Sequence, residues 1–127
     1  MKYLLSFITI MMMCSGTLFA QQQQLQIIKP TMTYGQIDFA LRLMERIELM
    51  GSEVDAFLEI KGIMYPALVK GANEKKQVNE KVTLEFNLKQ ADNILAFLNR
   101  ARLTGAEVQT FKEFKDALFA AAASLRK

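Results

Sequence analysis

Residues 51–61, GSEVDAFLEIK, return at residues 105–115 as GAEVQTFKEFK. Displacing the chain by the 54 positions between Gly51 and Gly105 aligns residues 36–61 with 90–115, a window of 26. Eleven pairs are identical: Gln36/Gln90, Asp38/Asp92, Leu41/Leu95, Arg46/Arg100, Leu49/Leu103, Gly51/Gly105, Glu53/Glu107, Val54/Val108, Phe57/Phe111, Glu59/Glu113 and Lys61/Lys115. Chance supplies about one or two, so the match marks an internal duplication. Whatever one unit folds into, the other must fold into as well.

Each unit reads as helix, glycine turn, helix. Ile37, Ala40, Leu41, Met44 and Ile47 recur at helical spacing, as do Ala91, Ile94, Leu95, Leu98 and Ala101. Thr33 and Asn87 each stand three residues before a glutamine, Gln36 and Gln90, which is the capping-box signature of a helix start. Gly51 and Gly105 are expected to end these first helices, where a positive φ costs glycine least. The second helices carry Val54, Phe57, Ile60 or Lys61 and Met64 in one unit. In the other they carry Val108, Phe111, Phe114, Leu118, Ala121 or Ala122 and Leu125. Gly62 and Pro66 predict a kink or an early end near Lys61 to Tyr65, because proline lacks an amide donor and crowds the preceding turn.

The fold class expected is therefore all-α, with four helices as two tandem αα-hairpin repeats sharing one core. Val82, Leu84, Phe86 and Leu88 alternate with polar residues like a strand, and IIKPTMTY before the first unit is a weaker counterpart. A short two-stranded β-ribbon can thus precede the hairpins. The organisation read from the sequence is a signal peptide at 1–20, a disordered or extended tail at 21–32, and a helical domain at 33–127. Within that domain repeat one spans 33–69, an exposed polar linker 70–81 and repeat two 82–127. A chain of 127 residues suits one domain with a single core.

The first twenty residues, MKYLLSFITIMMMCSGTLFA, carry Lys2, an apolar run and small residues before Ala20, the three-part pattern of a secretory signal peptide cleaved after Ala20. The stretch Leu18-Phe19-Ala20-Gln21-Gln22 resembles the processing sites of exported proteins of Gram-negative bacteria, which implies a periplasmic or secreted address. If retained, residues 3–20 are just long enough to cross a bilayer, and the membrane becomes a partner only in that case. Cys14 is the single cysteine, so the processed chain would have no disulfide and would rely on packing.

Several chemistries are poorly served. The chain has no histidine, which removes the commonest general base and metal ligand, and with no cysteine after Ala20 the usual zinc sites go too. Carboxylates repeated in both units, Asp38/Asp92 and Glu53/Glu107, are catalytic candidates by repetition alone. Glu53 and Glu107 have a structural account in the first turn of a helix, where the dipole favours negative charge, and Arg46 and Arg100 stand near the far end of the helix before. Each arginine can also reach its glutamate across the turn. No calcium loop or phosphate-binding glycine pattern is present, and with acids and bases interspersed at a net charge of +3 no nucleic-acid footprint stands out. The expectation is no enzyme, no cofactor and no metal.

What remains is apolar surface. Phe39, Leu43 and Met50 lie outside the main stripe of the first unit, and Phe119 lies off the line of Phe114 and its neighbours. A helix apolar on more than one side is central in its own bundle or buried by a partner. Phe39, Leu43, Met50, Phe114 and Phe119 are accordingly the candidate interaction face. The function expected is an exported, non-enzymatic interaction module that binds itself as a homo-oligomer or a protein partner in the cell envelope. The alternatives are a membrane-anchored structural component with an uncleaved N-terminal segment, and a carrier of small apolar ligands.

Overall fold

The computed structural model describes residues 26–126; the expected signal peptide and the glutamine run lie outside them. Four short strands, β1 (Ile27–Ile28), β2 (Thr31–Thr33), β3 (Lys81–Thr83) and β4 (Phe86–Asn87), pair antiparallel, β1 with β4 and β2 with β3. Ile28 faces Phe86 and Met32 faces Val82 in one unbroken register, so Pro30 falls opposite Leu84. The Leu84 amide donates to the Pro30 carbonyl at 3.0 Å. Pro30 has no amide to return, which divides one ribbon into two short ladders. Side chains alternate along it: Ile28, Pro30, Met32, Leu84 and Phe86 are buried, and Lys29, Thr31, Thr83 and Glu85 are exposed. The weak strand signal before the first unit is thus a true strand, and residues read as tail contribute Ile28 and Met32 to the core.

Four α-helices follow from the ribbon: α1 (Tyr34–Glu45), α2 (Val54–Asn73), α3 (Leu88–Leu98) and α4 (Val108–Ala123). Both capping boxes form. The Gln36 amide donates to Thr33 Oγ1 at 3.1 Å and the Thr33 amide to Gln36 Oε1 at 2.9 Å; the Asn87 and Gln90 pair does the same at 2.7 and 2.9 Å. Because each capping residue is also the last residue of a strand, the boxes fix where extended chain turns into helix.

Two sequence expectations about glycine and proline are corrected. α1 and α3 end at Glu45 and Leu98, well before Gly51 and Gly105, and no described glycine has a positive φ. The glycines instead open 3-10 turns, Gly51–Glu53 and Gly105–Glu107, after extended residues Met50 and Thr104. A Cβ on either would meet nothing within 4 Å. At Gly71 it would lie 2.9 Å from Tyr34 Cδ1 and nearer still to Cε1. We therefore expect Gly105→Val to change stability by less than about 0.5 kcal/mol and Gly71→Val to cost about 1–3 kcal/mol by overpacking. Urea unfolding of the two variants checks the order, and equal losses would restore a conformational role to Gly105.

Nor does Pro66 end the second helix, which continues for 20 residues to Asn73. The carbonyl that loses its amide partner belongs to Gly62, which is exposed and has no side chain to shield it from water. Buried Ile60, Met64 and Gly71 anchor the helix on both sides of the proline. The connection therefore begins later than the sequence suggests. Its residues 74–80 are exposed, but the carbonyls of Val78 and Glu80 accept from Gly35 and Tyr34 at 2.9 and 3.1 Å, which ties it to the first turn of α1.

α1 packs against both α2 and α4, and α2 also packs against α3. One cluster draws Ile37, Leu43 and Met44 from α1, Ile60 and Met64 from α2, Ile94 and Leu98 from α3 and Phe114 and Leu118 from α4, closed by Ile28, Met32, Leu84 and Phe86 of the ribbon. Among the described residues no helix is long and apolar enough to cross a membrane.

Candidate interaction surface

The repeated polar residues reach from one half of the chain into the other. Arg46 Nη2 donates to Glu107 Oε2 at 2.7 Å, and Arg100 grips both carboxylate oxygens of Glu53, Nη1 to Oε1 at 2.8 Å. Gln36 Nε2 donates to Glu113 Oε2 at 3.1 Å, and Gln90 Nε2 to Glu59 Oε1. The partner of each arginine is thus the glutamate of the other unit, not the one across its own turn. The same glutamates cap: Glu53 Oε1 accepts from the Met50 amide at 2.9 Å and Glu107 Oε1 from the Thr104 amide at 3.0 Å. Asp38 pairs with Arg42 at 3.0 Å, and Asp92 lines the groove between α3 and α4.

These contacts hold three carboxyls below the usual range. Arg100 and then the Met50 amide act on Glu53, the Thr104 amide and then Arg46 on Glu107, and Gln109 and then Gln36 on Glu113. A carboxyl depressed in the folded state contributes stability that is present above its unfolded value, near 4.5, and lost as pH falls through the lower folded value. A Glu53→Gln, Glu107→Gln double variant should therefore melt below the parent at pH 7, with the gap closing below about pH 4.5. Thermal melts from pH 7 to pH 3 check this; a gap independent of pH would mean that the carboxylate charges contribute nothing. High salt should narrow it too, since both pairs are partly solvated.

Of the five residues expected to form an interaction face, two are core. Leu43 is 0% and Phe114 1% exposed, because α1 and α4 pack against one another and against the ribbon. An apolar helix face in excess of one stripe is here the mark of a central helix. Phe39 is partly buried against the core. Met50 and Phe119 are exposed, at 67% and 52%, and Lys115 Nζ sits 5.9 Å from the centre of the Phe119 ring.

The longest exposed apolar feature lies elsewhere, on α2. Val54, Leu58, Tyr65 and Val69 are all exposed, Leu58 and Tyr65 by more than half. At 3.6 residues per turn they fall within an arc of about 60°. The opposite arc of α2 carries the buried Ile60, Met64 and Gly71, and only the sector of Asp55, Glu59, Gly62, Pro66 and Lys70 separates the two on one side. The signal was present as the spacing 54, 58, 65, 69. A helix expected to kink or end early near Lys61 to Tyr65 conceals it, since with an early end the last two members belong to no helix.

The matching positions on α4 are Val108, Lys112, Phe119 and Ala123. Val108 and Phe119 are exposed as well, but Lys112 pairs with Asp116 at 2.9 Å and Lys115 covers the phenylalanine. Lys61 and its counterpart Lys115 border both rows, but one unit has Leu58 where the other has the charged Lys112, and Lys61 is drawn to Glu45 at 3.4 Å. Beside α4, Leu88, Ala91, Leu95, Leu118, Phe119 and Ala122 line a groove of about 290 Å³. A wider groove of about 670 Å³ at the ends of α1 and α3 is lined by Arg46, Arg100 and Arg102 with Ile47, Glu48 and Ala101. Two of its three arginines are already held by glutamates, which leaves little free charge for an anion. Comparison of the chain with protein-family models, with curated proteins and with solved structures finds no match.

Proposed function

We propose that the chain is an exported, non-enzymatic helical module that works by binding protein in the cell envelope, either a further copy of itself or another chain. The observation that carries this reading is the exposed row Val54, Leu58, Tyr65 and Val69 on α2. Large side chains aligned along one helix are what an amphipathic interface presents, whereas single exposed apolar residues need no explanation. Of the repeated carboxylates, Glu53 and Glu107 are engaged in caps and ion pairs and Asp38 pairs with Arg42.

The finer architecture, two tandem helical hairpins around one core, belongs to the same proposal. The matched capping boxes, reciprocal arginine–glutamate pairs and single apolar cluster support it. Export rests on the leader-like residues 1–20, whose cleavage after Ala20 would begin the processed chain at Gln21.

The test is made in a Gram-negative host expressing the full-length chain with a photoreactive residue in place of Leu58, and in parallel in place of Lys89, exposed on α3. Light should join a protein to the Leu58 site and none to the Lys89 site, in material that fractionates outside the cytoplasm and starts at Gln21. No adduct from any position of the row would overturn the interaction reading. An intact N-terminus extracted only by detergent would replace the exported module by a membrane-anchored one, and a lipid in the native mass spectrum would favour a carrier.

A further inference from the structure

We propose that the α2 row is the contact between two copies of this chain, which meet through α2 antiparallel across a two-fold axis near Gly62. The inference rests on the interaction reading above and names its partner.

Three features of α2 fit a second copy. The row is symmetric about its own middle: an antiparallel neighbour sets Val54 against Val69 and Leu58 against Tyr65, large against large at both ends. At the crossing Gly62 presents no side chain, and the residue that faces it in this register, Lys61, is turned towards Glu45 of its own chain at 3.4 Å. The flanking charges are self-complementary in that orientation. Asp55 and Glu59 lie beside the row in its N-terminal half, and Lys70 lies on the same flank in its C-terminal half. Antiparallel packing keeps this flank on one side of the contact and brings acid to base twice. Among the described residues neither Asp55 nor Lys70 has an ion-pair partner.

The divergence of the two units gives the contact its stoichiometry. Had α4 kept an apolar row as well, each chain would offer two sticky faces and assemble without limit. With Lys112 in the place of Leu58 and Lys115 over Phe119, one face per chain remains, and a single self-complementary patch closes as a dimer. A helix of 20 residues presents a face about 30 Å long. At about 10 Å wide such a face covers roughly 300 Å², less than the ~800 Å² per partner of stable complexes, so the dimer should dissociate reversibly with a constant on the order of micromolar.

Sedimentation equilibrium of the chain as recovered from a Gram-negative host tests this. We expect a monomer–dimer equilibrium that Leu58→Glu weakens at least about tenfold without changing the thermal melt of the dilute monomer, since Leu58 is exposed, and that Phe119→Glu leaves unaltered. Asp55→Lys and Lys70→Asp should each weaken the dimer alone, and an equimolar mixture of the two variants should restore it as a heterodimer, because both mixed contacts then pair a lysine with an aspartate. A chain that stays monomeric up to ~100 µM, a dimer sensitive to Phe119→Glu but not Leu58→Glu, or a mixture that fails to reassemble would each overturn the inference. A photo-adduct at Leu58 to a different protein would also overturn it while leaving the interaction reading intact; the absence of any adduct is what removes that reading.

Discussion

A chain that ends at Lys81 is expected to show no cooperative unfolding, by heat or by urea. Of the seventeen buried apolar residues among those described, which form one cluster, nine lie before that point and eight after it. The cut removes β4, all of β3 but Lys81 and the two helices that cover α1 and α2, and leaves Ile28, Met32, Ile37, Leu43, Ile60 and Met64 facing water. About 60 residues can barely bury enough surface to fold even when complete, and half of a shared cluster falls short of that. Cutting without removing should do much less harm. The connection after α2 is exposed, and backbone nicks are tolerated at such sites. Co-expressed pieces divided after Lys75 are therefore expected to assemble and melt cooperatively, held by the ribbon, the apolar cluster and the reciprocal Arg46–Glu107 and Arg100–Glu53 pairs. A sharp melting transition from residues 21–81 alone would refute the shared core and make each half a domain of its own.

The physics of single positions decided which parts of this fold were legible. Capping boxes read correctly because donor and acceptor are three residues apart, so sequence spacing alone nearly fixes the geometry. The partner of a repeated charge did not. Glu53 and Glu107 are equivalent positions of the repeat, so the pattern accommodates Arg46 meeting either, and only the way the helices pack chooses between them. Several buried positions hide from an identity count for a related reason. Ile37 and Ala40 become Ala91 and Ile94 at matched places, a large and a small residue exchanged, so the volume is kept while identity is lost. The two misread punctuation marks shared a cause. Glycine and proline report what backbone is permitted, and here Gly51 takes an ordinary negative φ while Pro66 rides inside a helix whose freed carbonyl faces water. That second error concealed the candidate surface, since the row on α2 exists only if the helix continues past Tyr65. For Leu43 and Phe114 the apolar excess fits a central helix as well as a partner-covered face, and the further neighbours that α1 and α4 find in the bundle decide for the first.

Phe114 and Phe119 sit five residues apart on one helix, and their truncation separates these causes by energy. Phe114→Ala is expected to cost about 3–5 kcal/mol, the loss of a fully buried ring plus the cavity left behind. Phe119→Ala should cost less than about 1 kcal/mol, since the ring is half exposed and gives up mainly its contact with Lys115. For a domain of roughly 100 residues each kcal/mol moves the midpoint by about 4–8 °C. The first variant should therefore melt more than about 12 °C below the parent, and the second within a few degrees of it. Ile60 occupies the position in α2 that Phe114 occupies in α4, and both are buried. Ile60→Ala should accordingly fall in the same destabilised class, at about 2–5 kcal/mol. The double variant then probes whether the two sites draw on one cluster: coupling beyond about 0.5 kcal/mol is the mark of shared packing, and strict additivity of two independent sites. If Phe114→Ala instead left the midpoint near that of the parent, the ring would be serving a surface, and the face that the sequence assigned to it would have to be reinstated.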